Sequence, residues 1–312
     1  MVIVLNLVLA ACGGAGAATP ANGIALAGDG TLSADGWNLI HPQWSPDGTQ
    51  IAFIGIPPKF RGIVVGIGAK GRPKGVTPED LRADAFAWMP DSLSLLVAFR
   101  LVPDVGGDAF AIYDLAGHKV RDIATASPIV TDFDRGIAVA PNGRAAVIAD
   151  IQPTPTADGF KPGGLISLDL TSGAISSVAH VQGRDYGSPR FLAANQIVAQ
   201  FGVYNGGPSK GGIAVINLVN GETTEYKVPN VNIDQSAATA GSEWIYAVGA
   251  KEPSIAINGV WAISVRTGKV RQVTSNGFAS VDPDPTGHFL LVEEIGQSVG
   301  GGDNLKVISS GA

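Results

Sequence analysis

The sequence predicts an all-β fold: a six-bladed β-propeller of four-stranded antiparallel blades, its ring closed by an N-terminal strand. Three observations carry that expectation. First, one small unit recurs, an apolar strand, a tight turn and a second apolar strand, clearest as HPQWSPDGTQIAFIG at residues 41–55. Weaker copies read AFAWMPDSLSLLVAF (85–99), GIAVAPNGRAAVIAD (136–150), SPRFLAANQIVAQF (188–201) and FASVDPDPTGHFLLVEE (278–294). Second, the turn landmarks Pro46, Pro90, Pro141, Ala193, Gly241 and Pro285 stand 44 to 52 residues apart, the length of a four-stranded blade. Third, the units continue into a second hairpin, as in AFAIYDLAGHKVRDI (109–123), GLISLDLTSGAISSV (164–178), GIAVINLVNGETTEYKV (212–228) and GVWAISVRTGKVRQVT (259–274). Apolar alternation around Asn-Gly, Ser-Gly or Thr-Gly is a hairpin signature.

The last unit stops after one further strand, NLKVIS (304–309), so its fourth strand must come from elsewhere. GIALAGDGTLSA (23–34) has strand character and precedes the first unit, which makes it the expected partner. Such closure removes the open edges that promote aggregation. Composition agrees: 45% apolar residues, 15% charged, 42 glycines and 20 prolines suit strands and turns in one domain. No run of 18 apolar residues offers a membrane span.

At the N-terminus, MVIVLNLVLAACGG leads into Leu9-Ala10-Ala11-Cys12, which resembles the lipobox of bacterial lipoproteins. The resemblance implies cleavage before Cys12 and lipidation of its thiol. Residues 1–11 then form the signal sequence, 12–22 the lipidated cysteine with an uncharged Gly/Ala tether, and 23–312 the propeller. The apolar run starts at Met1 without the usual basic residues, so the true start is expected upstream, or the start codon is internal. Cys12 is the single cysteine, which excludes an intrachain disulfide. The expected location is the bacterial cell envelope, extracytoplasmic and membrane-anchored by lipid.

WSPDGTQIAF (44–53) resembles the repeat signature of TolB-type propellers, and the resemblance spans residues 37–312, sharp in the first unit and degenerate afterwards. It implies a non-enzymatic binding protein of the cell envelope. TolB carries an α/β domain ahead of its propeller, for which this chain has no room, so TolB's own partners are not expected to carry over.

Propeller geometry sends the turns between strands one and two, and three and four, to one end, and the other connections to the opposite end. The first set is short throughout, while the second includes RLVPDVGGD (100–108), IQPTPTADGFKPG (151–163), GVYNGGPSKGG (202–212), AKEPSIAIN (250–258) and IGQSVGGGD (295–303). Long connections are where binding residues concentrate. That end is therefore the expected partner surface, with Asp104, Asp108 and Tyr204 on its loops. Arg82, Asp84, Asp132, Asp134, Arg184, Asp185, Tyr186 and Asp234 are expected just before the innermost strands, ringing the channel mouth.

Other patterns carry less. DPDPTGHFLLVE (282–293) fits a calcium loop formally, but it lacks flanking helices and is in register with the blade turn. GPSKG (207–211) fits the nucleophile pattern GxSxG but lies in a Gly-rich loop rather than a strand-to-helix elbow. His41, His118, His180 and His288 share no metal spacing, and Trp44, Trp88 and Trp261 sit at core positions. No metal, cofactor or catalytic residue is expected. Lys59, Arg61, Lys70, Arg72 and Lys74 are split by a strand, and a net charge of −6 argues against nucleic acid.

The leading expectation is a lipid-anchored scaffold that binds a protein or peptide of the envelope, as an accessory subunit of a membrane complex. A propeller hydrolase or lyase using Asp84, Asp132, Asp134 and Asp185 is the rival, and a small-ligand or ion sensor the third reading.

Overall fold

The computed structural model describes residues 31–32, 38–56, 64–69, 72–78, 81–100, 107–131, 136–151, 163–179, 184–203, 211–239, 241–251, 254, 256–294 and 305–311. Its elements are all strands. β1 (Thr31–Leu32) precedes a first sheet of β2 (Asn38–Trp44), β3 (Ile51–Ile56), β4 (Val64–Ala69) and β5 (Arg72–Gly75). The second holds β6 (Arg82–Trp88), β7 (Ser94–Arg100), β8 (Asp108–Asp114) and β9 (Lys119–Ile123), and the third β10 (Ile137–Val139), β11 (Ala145–Ile151), β12 (Gly163–Asp169) and β13 (Ile175–Ala179). The fourth has β14 (Arg184–Ala193), β15 (Gln196–Val203), β16 (Gly212–Asn217) and β17 (Thr223–Tyr226), and the fifth β18 (Val231–Ala238), β19 (Trp244–Lys251), β20 (Gly259–Ser264) and β21 (Val270–Thr274). β22 (Phe278–Pro283), β23 (Phe289–Glu294) and β24 (Leu305–Ser309) make the last sheet, whose fourth strand is β1, pairing Thr31 with Lys306 and Leu32 with Leu305.

All pairings within sheets are antiparallel meanders, and the sheets stand in a propeller arrangement. A sheet so placed is covered on both faces by its neighbours, and its middle strands should be apolar on every residue rather than every second one. SLLVAFR in β7 is buried at its first six positions and GVWAIS in β20 along its whole length. The outer strands revert to polarity: KVRDI in β9 is exposed at its first four positions.

The core is accordingly a series of interfaces between consecutive sheets. Ala52 and Ile54 meet Phe86, Trp88 and Val97 across the first and second sheets, and Ala149 and Leu165 meet Tyr186 and Phe201 across the third and fourth. Leu39, Trp44, Ile51 and Phe53 of the first sheet cluster with Leu291, Leu305 and Val307 of the last. Polar links reinforce that last contact. The Trp44 N–H donates to Asp282 Oδ2 at 2.8 Å and the His41 N–H to Glu293 Oε2 at 2.9 Å.

Turn chemistry is set locally. Asp47, Asp91, Asn142 and Asp284 each turn a side-chain oxygen back onto backbone N–H groups of their own turn, at 3.0, 2.8, 2.9 and 2.8 Å respectively. Asp114, Asp169, Asn217 and Ser264 do the same at the second hairpins. Short polar side chains that mimic a backbone acceptor favour such turns. The hydrogen bonds from the His118 and Ser172 N–H groups hold the Asp114 and Asp169 carboxyls below the usual carboxylate range.

The first strands carry β-bulges, with register shifts between Ile40 and Gln43, Ala83 and Ala85, Gly187 and Arg190, Ile233 and Gln235, and Phe278 and Ser280. His41 and Ser188 lie inside two of these shifts with φ near +50°. A bulge adds twist and re-aims side chains, here on the strands nearest the axis.

Gly173 and Gly221 occupy matching turns at φ +72° and +73°, yet a Cβ at Gly173 would lie 1.7 Å from the Ala124 carbonyl oxygen, whereas none of its neighbours comes within 4 Å at Gly221. Gly221→Ala should therefore cost only the left-handed strain of about 1–2 kcal/mol. Gly173→Ala should cost at least a further ~2 kcal/mol, because the second and third sheets must part. Urea unfolding of the two variants measures the difference directly.

Candidate functional site

A cavity of about 450 Å³ opens on the axis at the end of the molecule that carries the short turns. Its wall comes from the C-terminal ends of the first strands and the turns behind them: Trp44 and Pro46, Trp88 and Pro90, Ile137 to Pro141, Phe191, Ala238 and Thr239, and Pro283 with Pro285. The landmark prolines thus stand side by side as a rim. Proline suits this place, where the strand ends and no ladder hydrogen bond is lost. The wall is mainly apolar, and exposed Leu93 and Val219 lie in turns at the same end.

The floor is polar. Gln43 and Arg190 line both this funnel and a smaller compartment beneath it, which also takes in His41, Ser188 and Gln235. Gln43 reaches across to the Phe86 carbonyl at 3.2 Å, and the Trp88 indole N–H donates to the Gln43 carbonyl at 3.2 Å, fastening the first and second sheets beneath the rim. Arg190 faces Asp282, with Nε to Oδ1 at 3.4 Å, and the two side chains are only 14% and 10% exposed. Arg190 Nη1 donates to the Pro189 carbonyl at 2.9 Å. Burial pushes the Asp282 carboxyl up to about 6, with Arg190 and the Trp44 N–H acting against that rise. The Trp44 Nε1 is buried and has no hydrogen-bond partner among the described residues.

The residues expected to ring the other mouth divide into two groups. Arg82 and Asp84 lie within β6, Arg184, Asp185 and Tyr186 within β14 and Asp234 within β18, rather than before those strands. The inner strands begin earlier than the apolar pattern suggests because their first residues pair across the sheet even where they are polar, as Arg82 does with Arg100. Asp84 is fully buried between Arg82 Nε at 3.0 Å and Arg100 Nε at 3.3 Å, and Arg100 Nε also approaches Asp108 Oδ1 at 3.5 Å. Asp108 Oδ2 accepts the Thr131 N–H at 2.7 Å, tying the second sheet to the segment that leads into the third. Burial raises Asp108 to about 6; the Thr131 hydrogen bond opposes that rise, the Asp84 charge adds to it and Arg100 opposes it.

In the fourth sheet Arg184 pairs with Glu225 and lies 4.7 Å over the Phe201 ring, Asp185 accepts the Gly163 N–H at 2.9 Å, and Tyr186 packs against Phe201. Asp234 is exposed at the bulge of β18. Asp84 and Asp185 therefore belong to separate networks. Cys12, Asp104, Asp132, Asp134 and Tyr204 lie outside the described residues, as do the GPSKG serine and most of the long connections. The DPDPTGHFLLVE stretch is the β22–β23 hairpin, with Asp284 capping its own turn. Among the described residues no three His, Cys, Asp or Glu side chains converge as a metal site.

The funnel residues Trp44, Trp88, Arg190 and Asp282 were not singled out as a site by the sequence. The available signal was positional: a proline after most first strands, and Arg190 as the single charge in SPRFLAANQIVAQF.

Comparison with solved structures gives the same fold. TolB from Acinetobacter baumannii superposes with a TM-score of 0.65 at 16% identity, over 85% of this chain and 62% of that one. A TolB candidate from Agrobacterium tumefaciens matches with 0.59 at 12% identity, over 87% and 90%. Oligogalacturonate lyase from Vibrio parahaemolyticus matches with 0.55 at 10% identity, over 87% and 89%. The chain thus has the fold of TolB-like propellers and spans about 62% of the A. baumannii protein's length. No family model matches the chain, and no curated protein sequence matches it.

Asp108 and Asp282 are held at about 6 in the folded chain against an ordinary 3.8. Both shifts are upward, so the folded state keeps protons that the unfolded chain releases. The stability they contribute is full below about pH 4 and is lost as pH rises through about 6. Asp282→Asn removes one of the two groups while leaving an acceptor for the Trp44 N–H. Its unfolding free energy should vary less between about pH 4 and pH 7 than the parent's. Urea titrations across that range test this, and equal slopes would place Asp282 at an ordinary value.

Proposed function

We propose that the chain is a lipid-anchored, extracytoplasmic six-bladed propeller that binds a protein or peptide and acts as a scaffold rather than as an enzyme, as an accessory subunit of a membrane complex. The single observation that carries the binding reading is the axial funnel: an apolar, proline-rimmed cleft of about 450 Å³ with a few convergent polar groups at its floor. That is the composition and size of a ligand cleft.

The scaffold reading is favoured over catalysis by how the carboxylates among the described residues are used, Asp132 and Asp134 lying outside them. Asp84 is held by two arginines, Asp108 by the Thr131 N–H, Asp185 by the Gly163 N–H and Asp282 by the Trp44 N–H. A ring of six blades is supported by the pairing of β1 with β24 and by the buried cluster shared by the first and last sheets. Membrane attachment rests on the Leu9-Ala10-Ala11-Cys12 sequence.

The test is a pull-down from mild-detergent extracts of native membranes. Val139→Arg places a long charged side chain in the funnel wall, and Asp234→Arg reverses a charge at the opposite end. Co-purifying proteins should be lost with Val139→Arg and kept with Asp234→Arg, while Cys12→Ser should release the protein from membranes. The reverse pattern would move the interface to the long connections, and membrane retention of Cys12→Ser would end the anchor reading.

A further inference from the structure

We infer that the axial funnel is a receptor for the C-terminal carboxylate of an extended apolar peptide, with the Arg190 guanidinium at its floor as the anion-binding group. The inference rests on the binding reading above and adds the chemistry of the ligand. It starts from an imbalance between donors and acceptors. The carboxyl that lines the funnel and the one two residues on both hold backbone donors: Asp282 Oδ2 accepts the Trp44 N–H at 2.8 Å, and Asp284 caps its own turn through the Thr286 and Phe289 N–H groups. Arg190 is not so committed. Among the described residues its guanidinium makes one 2.9 Å bond from Nη1 to the Pro189 carbonyl and one long 3.4 Å approach from Nε to Asp282. A guanidinium carries five N–H donors, so Nη2 and half of Nη1 remain open.

A planar fork of free donors at the bottom of an apolar cleft is matched by a planar acceptor with two oxygens. A basic ligand is disfavoured, because Arg190 would repel it and Asp282 Oδ2 already accepts the Trp44 N–H. The position of the fork then selects the source of the carboxylate. Arg190 lines both the funnel and the compartment below, so the group that reaches it has passed the rim and the tryptophans. A chain terminus reaches such a floor by entering end-on, whereas a side-chain carboxylate would require the peptide to enter and leave through one mouth. Trp44, Trp88 and Phe191 offer the last residues an apolar wall, and burying an apolar side chain there contributes to affinity without depending on its identity.

Calorimetric titration with the acetylated tripeptide Ac-Ala-Pro-Leu, as free acid and as C-terminal amide, tests this. The acid should bind at least about tenfold more tightly than the amide, a difference within reach of one charge-assisted hydrogen-bond pair. Arg190→Gln should abolish the preference, and Arg190→Lys, which keeps charge but not the fork, should retain only part of it. Asp282→Asn should strengthen acid binding, because a competing negative charge beside the fork is gone. Near-UV circular dichroism of each variant reports the fold. Equal affinity for acid and amide, or an unchanged acid affinity in Arg190→Gln, would overturn the carboxylate assignment while leaving the funnel as a binding site. An Asp282→Asn loss equal to that of Arg190→Gln would make the pair a structural prop and overturn it too. If neither peptide form binds, the inference fails, and the Val139→Arg pull-down separately decides whether the funnel binds a partner at all.

Discussion

Every sheet in this chain must be covered on both faces, and that requirement governs the rest of the structure. A sheet of four short strands has no interior of its own; its apolar residues are buried only where the next sheet lies against them. Hence β7 and β20 are apolar at nearly every position, and the large side chains Phe53, Phe110, Phe201 and Tyr246 sit fully buried between sheets. The first and last sheets obey the same rule, with Leu39 and Phe53 buried against Leu291 and Leu305. Apolar transfer of about 25 cal/mol per Å² is thereby shared among consecutive interfaces rather than concentrated in one core.

The funnel is a by-product of that packing. Sheets that lean on their neighbours bring their first strands near one axis, and the ends of those strands leave a space that the short turns do not fill. Among the described residues, Asp282 and Arg190 are the charged groups that line the space, and each is held by the fold. Asp282 belongs to the contact between the last and first sheets through the Trp44 N–H, and Arg190 is steadied by the Pro189 carbonyl next to it. At the other end of the first strands charge serves cohesion: Arg100 spans Asp84 and Asp108, and Arg184 joins Glu225. Removing Arg100 costs more than its contacts contribute, because the buried Asp84 and Asp108 charges are left without that compensation.

Much of the architecture could be read from the residues because it is encoded locally. Turn formers such as Asp47 with Gly48, and the switch from continuous apolar strands to polar outer strands, report hairpins and layers without tertiary information. The pairing of the N-terminal segment with the last strand followed from counting strands. The funnel was less legible. Its wall residues are scattered from Gln43 to Pro285, and nothing local says that they meet. Trp44 and Trp88 look like core because they are core on one side, and only the position of their strand ends shows that the other side faces a cleft. Loop length is visible in a sequence, whereas a shared axis is not. Nor were the bulges visible, so Arg82, Asp84 and Asp234 were expected before strands that in fact contain them.

The turn caps have a consequence for recognition. Asp47, Asp91, Asn142 and Asp284 fix the loops around the mouth through bonds a few residues long, so the shape of the opening does not depend on what enters it. On the binding reading, a guest would meet a rim whose conformational freedom was surrendered during folding, so the ordering cost at the contact would fall mainly on the guest. Selection at such an opening would reward stiffness in the visitor: a chain already extended before it arrived would lose less than one that had to be straightened on entry.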